Sequence, residues 1–251
     1  GQTLATTLSQ ADGQFRFKRL TPGSYRVRAA AAAGLADFDG GRKLELMERT
    51  VAAAIEFRLP GSTLSPRPAE SQPNRVLQLA GGEGYAELPS NILNSLEEAT
   101  VEGWVRWDRL TPGARFFDFG RESRTMVVGA KETSPGIQLE LFDAQSRRRA
   151  ELNAPGIIES NRWIHVAAVT GPGGARLYVN GILAESSDYT GSFAGYDNGE
   201  HNYLGRNNWR EVVPAVIQDM AGRMDEIRIW AVARAAEQIR DGMYQRVRGD
   251  E

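Results

Sequence analysis

The chain has 251 residues, of which 41% are hydrophobic and 25% charged, with a formal net charge of -2. This composition supports a packed core in one or two domains and excludes wholesale disorder, and its near-neutral balance excludes a global pull toward nucleic acid or acidic lipid. Cysteine is absent, which excludes disulfides, thiolate metal sites and cysteine nucleophiles, and no apolar run approaches the roughly 20 residues that insert across a bilayer.

Residues 1–10 lack the basic start and apolar stretch of a signal peptide. In "DGQFRFKRLTPGSYRVRA", Phe15 and Phe17 alternate with polar neighbours, "LTPG" supplies a turn, and Tyr25 and Val27 alternate again. That pattern predicts a hairpin-like pair of half-buried strands. The alternating run at 52–59 predicts another strand. Between them, "AAAAAGLADFDGGRK" reads as a loop with an extended start. Residues 60–74, "PGSTLSPRPAESQPN", are rich in Pro and Ser with no hydrophobic period, so they read as a semi-extended linker. By its Asp-Gly, "LTPG" turn and following Tyr, the first stretch resembles the carboxypeptidase regulatory-like domain, a small transthyretin-like β-sandwich. The resemblance implies a partial domain over 1–59. Only residues 1–11 precede the Asp-Gly, so either the chain is cut inside that domain or another strand fills its edge.

The larger part, 75–251, is strand-rich throughout. "RVLQLAGGEGYAELP" gives a strand, a glycine turn and a strand. "ATVEGWVRWD" alternates, with Trp104 and Trp107 on opposite faces. "ARFFDFG", "TMVVGA" and "GIQLELFDA" are further short strands. "GPGG" and "NG" in "RWIHVAAVTGPGGARLYVNGILAES" are hairpin turns. "NYLGRN" and "MDEIRIW" close the set. Such regular spacing predicts a β-sandwich or jelly roll. Ala235, Ile239, Met243 and Val247 stand at i, i+4 spacing, the buried stripe of a short C-terminal helix. The fold class is therefore all-β: a small N-terminal β-sandwich and a larger jelly roll ending in a helix.

Three stretches carry a second resemblance: "VLQLAGGEGYAELP", the Trp-x-His-Val-Ala strand with its Leu-Tyr-Val-Asn-Gly hairpin, and "GRMDEIRIWAVARAAEQI". Together they resemble the laminin G-like, concanavalin A-like lectin/glucanase superfamily, in its pentraxin-like bacterial branch. In calcium-bearing members an Asp at the position of Asp225 and groups from the first glycine turn clamp one structural cation. Here Gly81, Gly82 and Glu83 occupy that turn. By strict alternation Asp225 shares a face with Ile227 and Ile229, and a buried carboxylate needs a neutralising partner. Calcium is one such partner, since it takes oxygens from carboxylates and carbonyls. An arginine or backbone N–H groups are the other.

The segment "SDYTGSFAGYDNGEHNYLGRNNWREVVPA" is long, polar and studded with aromatics. Trp209, Asn207, Asn208, Arg210, Tyr196 and Asp197 form the candidate ligand-binding set, offering flat rings and hydrogen-bonding rims of the kind that hold sugars. Its alternative role is a staple that ties the loop to the sandwich. His165 reads as packing inside its strand, and "SRRRA" at 146–150 as a solvated hairpin tip. No paired-carboxylate run of the related glycanases, nucleophile elbow or P-loop occurs, so no catalytic residue is assigned. The two resemblances imply a binding or adhesion module of a larger secreted or cell-surface bacterial protein, extracellular or periplasmic, contacting glycan or protein. The competing expectation is a structural subunit that self-assembles by strand complementation of the incomplete N-terminal domain.

Overall fold

A computed structural model describes residues 76–82, 84–121, 124–195, 201–210, 212 and 219–245, with four short strands upstream. Those four pair as two antiparallel ribbons, β1 (Gly23–Arg26) with β4 (Lys43–Leu46) and β2 (Arg28–Ala31) with β3 (Gly34–Asp37). The alanine-rich run expected to be a loop thus forms a second strand after its extended start. The strand expected at 15–17, the run 52–59 and the linker 60–74 lie outside the described residues.

The rest is a sandwich of two six-stranded antiparallel sheets. One sheet has the order β11 (Arg148–Ala154), β10 (Ile137–Phe142), β9 (Arg124–Ala130), β8 (Arg115–Arg121), β15 (Asn202–Leu204), β6 (Ala86–Leu88). The other runs β14 (Ile182–Ser187), β13 (Ala175–Val179), β12 (Trp163–Thr170), β7 (Ala99–Trp107), β16 (Asp219–Trp230), β5 (Leu77–Gly82). Strands β5 and β6, consecutive in sequence, therefore enter different sheets and become the edge strand of each. The glycine turn between them crosses the sandwich instead of closing a hairpin. The "NG" turn joins β13 to β14 with both Asn180 and Gly181 at positive φ, the geometry that matches strand twist in a two-residue hairpin.

Alternation decides which side chains enter the core. Val101, Val105 and Trp107 of β7 face inward against Phe117, Phe119, Val128 and Leu139 of the opposite sheet, all buried. Each such side chain stabilises the fold by about 1.5–3 kcal/mol through burial. Thr100, Glu102 and Trp104 face outward, yet they too are buried. A C-terminal cover explains this. Ile239 of α1 (Ala236–Gly242) packs on Ala167, Val169 and Tyr178. Trp104 Nε1 donates to the Met243 carbonyl at 2.7 Å, and Thr100 Oγ1 to that of Val232 at 2.8 Å. Ile239 and Met243 of the expected stripe are buried, while Val247 lies outside the described residues.

Strand β16 breaks alternation. Asp225 sits opposite Trp104, and Arg228 opposite Glu102, so three steps on β16 match two on β7. Glu226 takes φ 50° at this bulge. One extra residue flips the parity of everything beyond it. Met224, Ile227 and Ile229 face the core, while Asp225 and Arg228 share the outer face with Trp104 and Glu102. Asp225 therefore does not share a face with the two isoleucines. Its Oδ1 accepts the Glu226 N–H at 2.8 Å, one of the two neutralising routes that the sequence left open.

Candidate functional site

The loop after β15 is positioned by a buried carboxylate. Asp118 of β8 lies on the outer face of its sheet, opposite Tyr203 on one side and Val127 on the other. It accepts hydrogen bonds from the Asn208 N–H at 3.0 Å, the Asn208 Nδ2 at 2.8 Å and the Thr125 hydroxyl. Burial pushes its pKa up, against the pull of Arg115 and of these donors. Asn208 Nδ2 also reaches the His201 carbonyl at 3.3 Å. Asn207 is buried, and its Oδ1 accepts the Trp209 N–H at 2.8 Å. The two asparagines, expected to face a ligand, are turned inward because Asp118 and the turn backbone need them. Their work is to present Trp209, which is 40% exposed. Arg210 leans back toward Asp219, Nε to Oδ1 at 4.0 Å. Tyr196 and Asp197 lie outside the described residues.

A second exposed ring borders this loop. Tyr85, between the glycine turn and β6, is 38% exposed. The Arg206 guanidinium lies 3.6 Å from its ring centroid, and Tyr203 meets it edge-on at 5.2 Å. Arg206 Nη2 also pairs with the buried Asp219 at 3.2 Å. Tyr85, Arg206 and Asp219 escaped the sequence reading. The signal available for Tyr85 was an aromatic directly after a glycine turn. Nothing local marked Arg206 and Asp219, because their meeting depends on sheet closure. Phe193 of the same polar segment is fully buried in the core, so it acts as the staple.

Asp225 and the glycine turn, the two halves of the expected calcium clamp, stand at different positions along β16. Gly82 stands opposite Asp219, while Asp225 is six positions further along β16, about 20 Å away at the usual strand rise. Glu83 lies outside the described residues. Gly81 takes φ +79°, and a Cβ there would stand 2.9 Å from Arg109 Nη2. The turn thus leaves room for an arginine. Asp219, which faces Gly82, is paired with Arg206. Among the described residues no group of three or more His, Asp or Glu gathers as a metal site.

His165 is buried beneath the C-terminal cover, edge-on to Trp104 at 5.4 Å, with Nε2 3.9 Å from Glu102. Burial and then the nearby Arg228 and Arg234 push its pKa down to about 3. The three arginines of the hairpin tip are engaged: Arg147 and Arg149 with Asp143, and Arg148 with Glu140 and Glu151. What remains outward around this loop is the pair of exposed rings, Trp209 and Tyr85.

The sequence matches the Laminin_G_3 family, described as the Concanavalin A-like lectin/glucanases superfamily, over residues 80–240. No curated protein sequence matches it. Among solved structures it is similar to the Ruminococcus gnavus IT-sialidase CBM40 bound to α2,3-sialyllactose, with a TM-score of 0.57 at 13% identity, covering 67% of this chain and 96% of that one. It is similar to the leech intramolecular trans-sialidase with a TM-score of 0.57 at 14% identity, over 71% of this chain and 28% of that one. It is also similar to the NanB sialidase from Streptococcus pneumoniae, with a TM-score of 0.50 at 19% identity, over 65% and 28%. At these identities the likeness is one of fold. No helix among the described residues is long and apolar enough to cross a membrane. The family match covers more than half of the chain and coincides with the sandwich, so this protein belongs to the concanavalin A-like lectin/glucanase superfamily.

Proposed function

We propose that this chain is a non-catalytic glycan-binding module of a larger secreted or cell-surface bacterial protein. The observation that carries the reading is the outward Trp209 ring, held on a loop tethered through Asn208 to the buried Asp118. A single exposed ring needs no partner, but exposed aromatics that share one loop edge, as Trp209 and Tyr85 do, are what ligand-binding surfaces use. Tyr85 borders the same loop through its contact with Arg206 and supplies a second ring. The similarity to a carbohydrate-binding module fold supports this reading. A regulatory-like N-terminal domain suits such a multidomain adhesion protein, as does a protein ligand in place of glycan. The reading uses no calcium at the glycine turn.

Glycan-array binding of the wild-type chain and of Trp209→Ala tests the proposal. Signal for the wild type, lost in the variant at an unchanged melting temperature, supports it. Silence across a broad polysaccharide panel removes the glycan version. The competing reading, a subunit joined by strand complementation, draws on the two-stranded ribbons β1–β4 and β2–β3. Sedimentation at high concentration separates the two, since a strict monomer excludes assembly.

A further inference from the structure

We infer that the outer face of the β12–β7–β16–β5 sheet carries a second ligand site, apart from the Trp209 edge, for the oxyanion groups of an acidic polysaccharide. Ladder register sets its four side chains in one row. Trp163 of β12 stands opposite Arg106 of β7, Arg106 opposite Arg223 of β16, and Arg223 opposite Gln78 of β5. Their neighbours Ile164, Val105, Met224 and Leu79 enter the core, so alternation turns the row outward. Like charges directly opposite across a ladder are destabilising, and these two arginines are met unequally. Arg106 gives its Nε and Nη2 to Asp108 Oδ1 at 3.0 and 2.7 Å, and its guanidinium lies 5.9 Å from the Trp163 ring centroid. The Arg223 guanidinium has neither a carboxylate nor a hydrogen-bond acceptor among the described residues. Of its nitrogens only Nε is both buried and unpartnered, so the terminal pair faces outward.

Half-buried arginines elsewhere in the sandwich meet carboxylates: Arg115 meets Glu140, Arg206 meets Asp219 and Arg234 meets Glu102. Arg223 meets an arginine instead. Two carboxylates close by in sequence are already engaged, Asp108 by Arg106 and the buried Asp225 by the Glu226 N–H. Neighbouring strands lie about 4.8 Å apart, so one oxyanion set between Arg106 and Arg223 reaches both guanidiniums and relieves their repulsion. The terminal nitrogens of an arginine form a fork that matches two oxygens of a carboxylate or sulfate ester. At the ends of the row, the half-buried Trp163 offers a ring to a sugar face and the exposed Gln78 an amide. Strands β7, β12 and β16 are interior, paired on both sides. They present side chains here and no free edge for an extended peptide, which favours a polysaccharide laid across the strands.

The test uses the full chain and biolayer interferometry on polygalacturonate against its methyl ester, and on dextran sulfate against dextran. At low salt at least one acidic polymer is expected to bind about tenfold more tightly than its neutral counterpart, and the margin shrinks at high salt as the charges are screened. A margin for one polymer alone names the oxyanion, carboxylate or sulfate. Arg223→Gln is expected to remove most of the margin, about fivefold or more, without lowering the melting temperature, since it takes away a charge that faces Arg106. Trp209→Ala is expected to leave the margin in place. A margin that survives Arg223→Gln, or one that Trp209→Ala abolishes, overturns the site. A lowered melting temperature in Arg223→Gln would make Arg223 a structural partner and overturns it as well. Tighter binding to poly-glutamate than to either polysaccharide overturns the class of ligand. Trp209-dependent binding of neutral glycans with no acidic margin overturns this inference and leaves the reading of the Trp209 edge standing.

Discussion

Trp209 and Asn208 are neighbours with opposite jobs, and substitution separates them. Trp209 contributes an exposed ring, so Trp209→Ala should change unfolding free energy by less than about 0.5 kcal/mol, as surface substitutions do. Asn208 satisfies a buried carboxylate on two sides, through its backbone and its amide. Asn208→Ala should therefore destabilise by about 1–3 kcal/mol, the cost of a buried acceptor losing a donor. Urea denaturation of both variants checks the pair, and a stable Asn208→Ala would show that the Asn208 amide side chain contributes nothing to holding Asp118. Sequence alone could mark Trp209, because an aromatic among polar residues stands out. It could not tell that Asn207 and Asn208 face inward. A loop has no period, and their partners, Asp118 and the Trp209 backbone, are chosen by tertiary closure.

Strand β16 shows what periodicity can and cannot carry. The strand was legible from its apolar residues and its place before a helix. Its bulge was not, because the extra residue at Glu226 is defined only against β7. Its consequence is to place Arg228 outward, under the C-terminal cover. There Arg228 Nη1 donates to the Gly242 carbonyl at 2.8 Å, and its Nη2 reaches the Gln245 carbonyl and Glu226. Carbonyls at the end of α1 have no intrahelical donors, and a cation near them is favourable. Arg234 holds the Gln238 carbonyl at 2.7 Å and pairs with Glu102. The helix is thus tied down by two arginines that also neutralise a buried glutamate. Arg228→Ala should cost about 3 kcal/mol or more, as removing one partner from a buried ionic network does. Amide exchange should rise first over α1, with the β7–β12 ladder still protected. Uniform loss of protection would mean that the cover and the sandwich unfold as one unit.

At the scale of the whole molecule, the two-sheet architecture was legible because half-buried strands alternate and "NG" marks a hairpin. The partnership of β5 and β6 with different sheets was hidden, since adjacency in sequence favours a hairpin. That crossing sets the glycine turn against Asp219 instead of Asp225, so the two expected halves of the calcium clamp are not neighbours on β16. Calcium or a chelator should accordingly leave the melting temperature unchanged within a degree, whereas saturating calcium at a folding site would raise it. The pH dependence of stability follows from the other buried cluster. His165, neutral in the fold with its pKa pushed down to about 3, regains its ordinary value near 6.5 when unfolded. Between those values the unfolded chain binds a proton that the folded chain refuses, so this contribution to stability is complete above pH 6.5 and declines as pH falls. Glu102 and Asp118 act in the opposite sense. Burial raises both in the fold, so just above their ordinary range the folded chain binds protons that the unfolded chain has released, and their effect favours acid. His165→Gln isolates the histidine. Taken from pH 7 to pH 5, the wild type should lose about 1–2 kcal/mol relative to this variant in urea melts. Parallel curves would mean that the imidazole takes up its proton in the folded state, with Glu102, 3.9 Å away, as the counter-charge.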